Sequence, residues 1–482
     1  MGLNAPMTEK MHMRSIALLF IGALVLATPA PTRAEDRPRS PQAPASRQAP
    51  TPGRDPVIPK GPSTDDGPRP RPPPHYRLLA PPPDKPIAVA PVEAEGADPG
   101  ERGEDGAEAL AEARAEVGAE PKRTRFQGIA LPLVNFSTDM GFGYGAVGGA
   151  YFYHPDYEPF RYSVAVQAFW TTRQIQNHYL RLDAPDIVKG VRAELRAEYR
   201  RELFSPYFGV GNRAEEGFSG NLAEPAVNYE RTFPGVWLRV RFKPLGPDHP
   251  FEPWVNAEFQ HYDIGVLPGS ALERERPTGL EGGRSGQLGV GLIWDNRDNE
   301  TSSTRGGAEE IALRFASRWT LSDYTWGALT LVERRFWQLA GPRLVLAQRV
   351  VFEWAFGDVP FFELANFGGI QGGEGIGGMS SVRGVPRNRY QGEIKLFSNT
   401  ELRWNPFDFS LLGQRITAGG IAFFDAGRVW ERGQDNGPLW HWHPGAGLGL
   451  RFTAEAAVAR IDAGFELETM RPGLYISLGQ SF

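Results

Sequence analysis

Residues 191–200 read VRAELRAEYR. Every second residue is apolar (Val191, Ala193, Leu195, Ala197, Tyr199), and the residues between them are charged (Arg192, Glu194, Arg196, Glu198, Arg200). Successive side chains of a strand point to opposite faces, so this stretch predicts a β-strand with one apolar and one densely charged face. The same period recurs at 161–170, where Tyr162, Val164, Val166, Ala168 and Trp170 share a face. It recurs again where Val236, Leu238, Val240 and Phe242 oppose Trp237, Arg239, Arg241 and Lys243. A soluble sheet would need a second layer over its apolar face, and no helical segment here supplies one. Aromatics at the ends of the apolar face suit the two lipid–water interfaces, and the charged face suits the lumen of a transmembrane barrel.

Working outward from these windows, alternation and turn residues predict strands over 128–137, 141–153, 161–171, 174–184, 189–200, 225–243, 252–265 and 284–297. The second half predicts 307–318, 323–338, 342–355, 393–405, 414–428, 441–453, 457–467 and 473–482. The fold class is therefore all-β, a 16-stranded antiparallel transmembrane β-barrel over residues 126–482, an even number as single-chain bacterial barrels have. Even parity puts both barrel termini on one side, and the long stretches 201–224, 266–283 and 356–392 fall among the loops of the other. Pro132 lies inside the first strand, and Phe482 ends the last with Leu474, Ile476 and Leu478 on its face. Proline removes a ladder donor and belongs at a sheet edge, so Pro132 and Phe482 are expected to mark a weak barrel seam.

Composition agrees. The 482 residues are 41% hydrophobic with 57 glycines and 43 prolines, and outside the N-terminus no window reaches the roughly eighteen apolar residues of a membrane helix. Ile16 to Leu26 is a short apolar run behind Lys10 and Arg14, followed by Thr32, Arg33 and Ala34. That layout predicts a secretory signal peptide over 1–34. From 35 to 125 the chain turns proline-rich, with Pro72–Pro74 and Pro81–Pro83, and nearly lacks aromatics. It cannot bury enough apolar surface to offset its ordering entropy, so a disordered periplasmic arm is expected. Zero cysteines exclude a lipidated N-terminal cysteine and a thiolate metal site, and a net charge of −5 gives no basic footprint for nucleic acid.

Four segments carry a family resemblance. They are Ser381-Val382-Arg383-Gly384-Val385, Phe423-Phe424-Asp425-Ala426-Gly427-Arg428-Val429-Trp430, Trp294-Asp295-Asn296-Arg297-Asp298 with Thr304-Arg305-Gly306, and Ala459-Arg460-Ile461-Asp462-Ala463-Gly464. In this order and spacing the chain resembles the BamA/TamA-like outer-membrane assembly barrels, the bacterial surface antigen family. Val385 stands where the family's loop motif carries an aromatic residue. The family's periplasmic substrate-binding repeats, small βααβ-type domains, find no counterpart before Phe126.

The resemblance implies that the loop bearing Arg383 and Gly384 folds into the lumen, where Arg383 meets Glu401 and Asp425. Glu401 shares parity with Lys395, Asn399 and Arg403, and an arginine between two carboxylates makes charge-assisted, bidentate bonds. As three of many lumen charges screened by water, the same residues would instead contribute little. The resemblance further implies residence in the bacterial outer membrane, with outer-membrane lipids as partners. It implies unfolded outer-membrane protein clients or lipid as cargo, and a role in insertion or translocation. The alternative is a passive channel or structural barrel that keeps the scaffold without insertase activity.

Other signals lead nowhere. Gly373-Glu374-Gly375-Ile376-Gly377-Gly378 matches a dinucleotide fingerprint formally, but no strand–helix unit surrounds it, so no cofactor is expected. His441 and His443 share a strand face, yet their place near a strand end favours an interfacial role over metal binding. No Gly-x-Ser-x-Gly elbow occurs, and no catalytic residues or enzymatic activity are expected.

Overall fold

The computed structural model describes residues 125–154, 157, 159–212, 221–411, 414–454 and 457–482. The stretches read as signal peptide (1–34) and proline-rich arm (35–125) lie outside these residues except Arg125.

The described residues form a closed antiparallel barrel of sixteen strands. In chain order they are β1 (Arg125–Ser137), β2 (Gly141–Tyr153), β3 (Tyr162–Thr171), β4 (Ile175–Val188), β5 (Val191–Pro206), β6 (Asn228–Phe242), β7 (Phe251–Gly265) and β8 (Gly283–Asp295). There follow β9 (Gly306–Ala316), β10 (Trp326–Gln338), β11 (Leu344–Gly357), β12 (Ile394–Leu411), β13 (Gln414–Trp430), β14 (His443–Ala454), β15 (Ala457–Glu466) and β16 (Pro472–Leu478). Each strand pairs with its sequence neighbours, and β1 pairs with β16 to close the ring.

The alternation works in the direction of a membrane barrel. In β5, Glu194 and Arg196 are 2% and 1% exposed, whereas Leu195 between them is 41% exposed. Charges point inward and apolar side chains outward, the reverse of a soluble protein. Leu180, Leu238, Leu292, Leu313 and Leu402 on other strands are exposed on the same outer surface. Trp170, Trp294, Trp337, Trp354 and Trp404 are exposed there too. Inside, the charges are paired: Arg196 with Glu198 at 3.1 Å, Arg231 with Glu202 at 2.8 Å, and Arg181 with Glu194.

Strand ends differ from expectation in two instructive places. β5 runs past Arg200 to Pro206 through an irregularity between Glu202 and Ser205. β12 runs past Asn405 and Pro406 to Leu411, because the proline falls in a bulge between Trp404 and Phe407, where its missing N–H costs the ladder nothing.

The segments 207–212, 221–227, 266–282 and 358–393 emerge at one end of the barrel, and the two chain ends of the barrel lie at the other. Segment 358–393 does not project outward. It opens with a helical turn, Phe361–Leu364, then a two-residue ladder between Asn366–Phe367 and Gly373–Glu374, and from Phe361 to Gln391 nearly every residue is buried. Phe367, Ile376, Val382, Val385 and Tyr390 pack against Val332, Val351, Phe397 and Val429 of the barrel wall. Lumen carboxylates hold its backbone: Gly368 N donates to Glu353 Oε2 at 2.6 Å and Ile370 N to Glu310 Oε1 at 2.6 Å.

Candidate functional site

Deep in the lumen, the 358–393 loop presents Arg383 to three strands at once. Its Nε donates to Asp425 Oδ2 of β13 at 2.7 Å, and Nη2 donates to Asp425 Oδ1 at 3.0 Å, a bidentate pair. Its Nη1 donates to Glu401 Oε1 of β12 at 2.7 Å and to Asp462 Oδ2 of β15 at 3.2 Å. The Arg383 backbone N–H adds a bond to Asp425 Oδ2 at 3.1 Å. The guanidinium lies over the Phe423 ring, 3.6 Å from its centroid, a cation–π contact. All four charged residues are fully buried. Water screening of the kind expected in an open lumen is therefore absent at this point, and the pairing acts at low dielectric. Burial alone would depress the Arg383 pKa, but Asp425 and Glu401, with Asp462, outweigh it and hold the group well above its usual range.

The surrounding charges are organised around this centre. Arg403 Nε donates to Glu401 Oε2 at 2.8 Å, and Arg451 Nη2 donates to Asp462 Oδ2 at 3.2 Å. Glu401 and Asp462 thus have other cationic partners, whereas among the described residues the hydrogen bonds to Asp425 come from Arg383 alone. Gly384 N donates to the Tyr475 hydroxyl of β16 at 3.0 Å. Gly384 has φ +97°, and a Cβ there would stand 2.5 Å from Glu466 N and Phe465 C, so only glycine lets the loop reach the wall. Beyond it, Arg387 donates to Glu202 Oε2 at 2.9 Å and to Glu374, and its backbone N–H donates to Asp139 Oδ1 at 3.2 Å. The loop therefore spans the lumen from β12, β13 and β15 to β5 and the β1–β2 turn.

The structure brings Arg383, Gly384, Glu401 and Asp425 together. Sequence reasoning missed Asp462, Arg451 and Tyr475. Asp462 was within reach, since it sits in a quoted segment and shares inward parity with Arg460 of β15. Nothing local marks Tyr475, whose role arises only when the ring closes. Val385, in place of an aromatic, is fully buried among Ile376, Val382 and Tyr390.

The seam residues part company. β1 and β16 share two register pairs, Phe136↔Ile476 and Ser137↔Tyr475, against thirteen between β1 and β2. Thr138 N adds one bond to Leu474 O at 3.0 Å. Pro132 lies in the portion of β1 that pairs with β2 only, opposite Ala146. Phe482 was expected at the end of the last strand, but β16 stops at Leu478. Gly479, at φ +78°, turns the chain inward. Phe482 then meets Phe336 at 6.4 Å between ring centroids, lies beside Arg349 and Arg403, and its carbonyl accepts from Arg403 Nη2 at 3.1 Å.

A dinucleotide site at 373–378 has no support in the geometry: Gly373–Glu374 forms a strand of the buried loop, and Glu374 pairs with Arg387 and Arg231. At the loop end of the barrel, His441, His443 and Glu468 stand together, with potential ligand atoms all within 4.8 Å of one another.

Comparison with known proteins places this architecture. The profile of the Omp85 superfamily domain matches residues 274–482. No curated protein sequence matches the chain. Among solved structures, BamA from Haemophilus ducreyi lacking POTRA domains 1-3 is similar at 15% identity and a TM-score of 0.53, over 74% of this chain and 70% of that chain. CdiB from Acinetobacter baumannii is 15% identical over 73% of this chain and 59% of that one, with a TM-score of 0.44. CdiB from Escherichia coli is 14% identical over 75% and 63%, with a TM-score of 0.48. At such identities the likeness to BamA speaks for the fold. Residues 274–482 are thus similar to the Omp85 superfamily domain, and they lie within the sixteen-stranded barrel.

Proposed function

We propose that this barrel aids the insertion or translocation of protein or lipid at the bacterial outer membrane, using the β1–β16 seam as its working edge. One observation carries the reading: two ladder pairs close the seam, so β1 from Arg125 to Asn135 offers an edge without a ladder partner across it. Unpaired backbone in lipid costs several kcal/mol per group, which makes such an edge a template for an incoming strand. Pro132 and the inward turn of the chain after Leu478 keep the seam from zipping further. The loop pinned by Arg383 fills the lumen beside the seam, an arrangement that speaks against a wide passive pore.

On this reading a signal peptide over 1–34 delivers the chain, the proline-rich arm over 35–125 lies in the periplasm, and the long loops face outward. Limited proteolysis in detergent then leaves a stable fragment starting near Phe126, and a protected fragment from within 35–125 refutes the arm. The function is tested by the folding rate of a barrel substrate in liposomes with and without the protein. Faster folding with the protein supports the reading. Equal rates, with a steady open channel in planar bilayers, hand the case to the passive pore.

A further inference from the structure

His441 and His443 are two residues apart, flanking Trp442, in the segment that enters β14. Both rings turn to one carboxylate: His441 Nε2 lies 3.2 Å from Glu468 Oε1, and His443 Nδ1 lies 2.9 Å from Glu468 Oε2. The ring centroids are 5.0 Å apart. Glu468 comes from the turn 467–471 between β15 and β16, so the cluster joins two separate loop-end connections.

From these contacts we propose a divalent transition-metal site of the zinc class at His441, His443 and Glu468. The chemistry suits it: two imidazole nitrogens and one carboxylate form the three-ligand set that leaves a fourth position to water. Ligand atoms of a tetrahedral site with bonds of about 2.1 Å stand roughly 3.4 Å apart; the two histidine–carboxylate separations need open by only a few tenths of an ångström, and the set as a whole, already within 4.8 Å, needs to draw together by no more than about 1.4 Å.

Two of the three ligands are already held. The Tyr390 ring stacks on His443 at 3.5 Å between centroids and 12° between planes, fixing that imidazole. Leu467 N donates to Pro444 O at 2.9 Å, tying the residue before Glu468 to the residue after His443. His443 is buried, while His441 and Glu468 are partly exposed, giving an ion a path from the loop end of the barrel. A bound ion would cross-link the β13–β14 connection to the β15–β16 turn, at the end of the barrel where the two seam pairs lie. The inference is independent of the insertion reading, since it rests on a different set of residues.

The test uses the full chain without a histidine tag, stripped with chelator, and titrated with Zn2+ against a chromophoric competitor. Co2+ provides a visible band that reports coordination geometry. Wild type is expected to take up one Zn2+ per chain. His441→Ala and Glu468→Gln should bind at least about tenfold more weakly, while His154→Ala, at the opposite end of the barrel, binds as wild type does. Heat-modifiable migration on gels establishes that each variant is folded. The proposal is overturned if wild type takes up no Zn2+ in the competition, or if the His441 and Glu468 variants bind as tightly as wild type.

Discussion

Replacing Arg383 with alanine should release the lumen loop while leaving the barrel folded. The change removes the four hydrogen bonds that one guanidinium donates, but its three carboxylate partners are affected unequally. Glu401 keeps Arg403 at 2.8 Å, and Asp462 keeps Arg451 at 3.2 Å. Asp425 keeps no cationic partner, and it is fully buried. Removing one partner of a buried pair costs about 3–5 kcal/mol, because the remaining charge is left uncompensated. That cost falls on the closed position of the loop, since moving the loop away lets water reach Asp425. At about 1.4 kcal/mol per tenfold, the open fraction rises by roughly two to three and a half powers of ten. The strand ladders and the lipid-facing surface are untouched, so the barrel itself persists.

The absence of native cysteine makes the assay direct. A single cysteine at buried Ser380 reacts with a maleimide only when the loop opens. Labelling of the Ser380→Cys, Arg383→Ala protein should run at least about a hundredfold faster than Ser380→Cys alone, with unchanged heat-modifiable migration. Equal labelling rates would refute the argument that Arg383 pins the loop.

Three further outcomes follow from the same geometry. Gly384→Ala places a Cβ 2.5 Å from the Glu466 and Phe465 backbone at φ +97°; strain of about 1–3 kcal/mol should accelerate Ser380→Cys labelling, though less than Arg383→Ala does. Asp425→Asn should accelerate labelling more than Asp462→Asn, because Asp462 is also held by Arg451; the reverse order would contradict the assignment of Asp425 as the principal anchor. Oxidation should link Phe136→Cys to Ile476→Cys, which are register partners, but not Pro132→Cys to Phe482→Cys, because Phe482 lies against Phe336; linkage of both pairs at similar rates would contradict the inward turn after Leu478.

The barrel was legible in the sequence because its signal is repeated and local. Alternation of the kind at Val191–Tyr199 states which face is which, whatever the neighbouring strand does. Strand ends were less legible, because a proline such as Pro406 reads as a terminator unless the bulge around it is known. The lumen site was legible in part. Arg383, Glu401, Asp425 and also Asp462 lie in segments with a recognisable pattern, but Arg451 reads as one more lumen charge, and nothing local marks Tyr475 as a partner of the loop. The expectation of a wet, screened lumen came from the charged strand faces alone, and the apolar residues of the 358–393 loop that displace water there carry no strand period. Phe482 was misplaced because a single left-handed glycine, Gly479, breaks a run that otherwise reads as strand. The place of His441 and His443 near a strand end favours an interfacial role in the sequence, which does not show that Glu468 of a separate turn meets both rings.

The most direct test of the account is to lock and unlock the seam. A Phe136→Cys, Ile476→Cys variant joins the two strands at one of their two register pairs, within the side-chain spacing a disulfide bridges. The quantity to measure is the folding rate of a barrel substrate in liposomes bearing this variant, oxidised and then reduced. The account predicts that oxidation lowers the rate to that of empty liposomes and that reductant restores it. A locked barrel that accelerates folding as well as the reduced one would contradict the claim that the β1–β16 seam is the working edge.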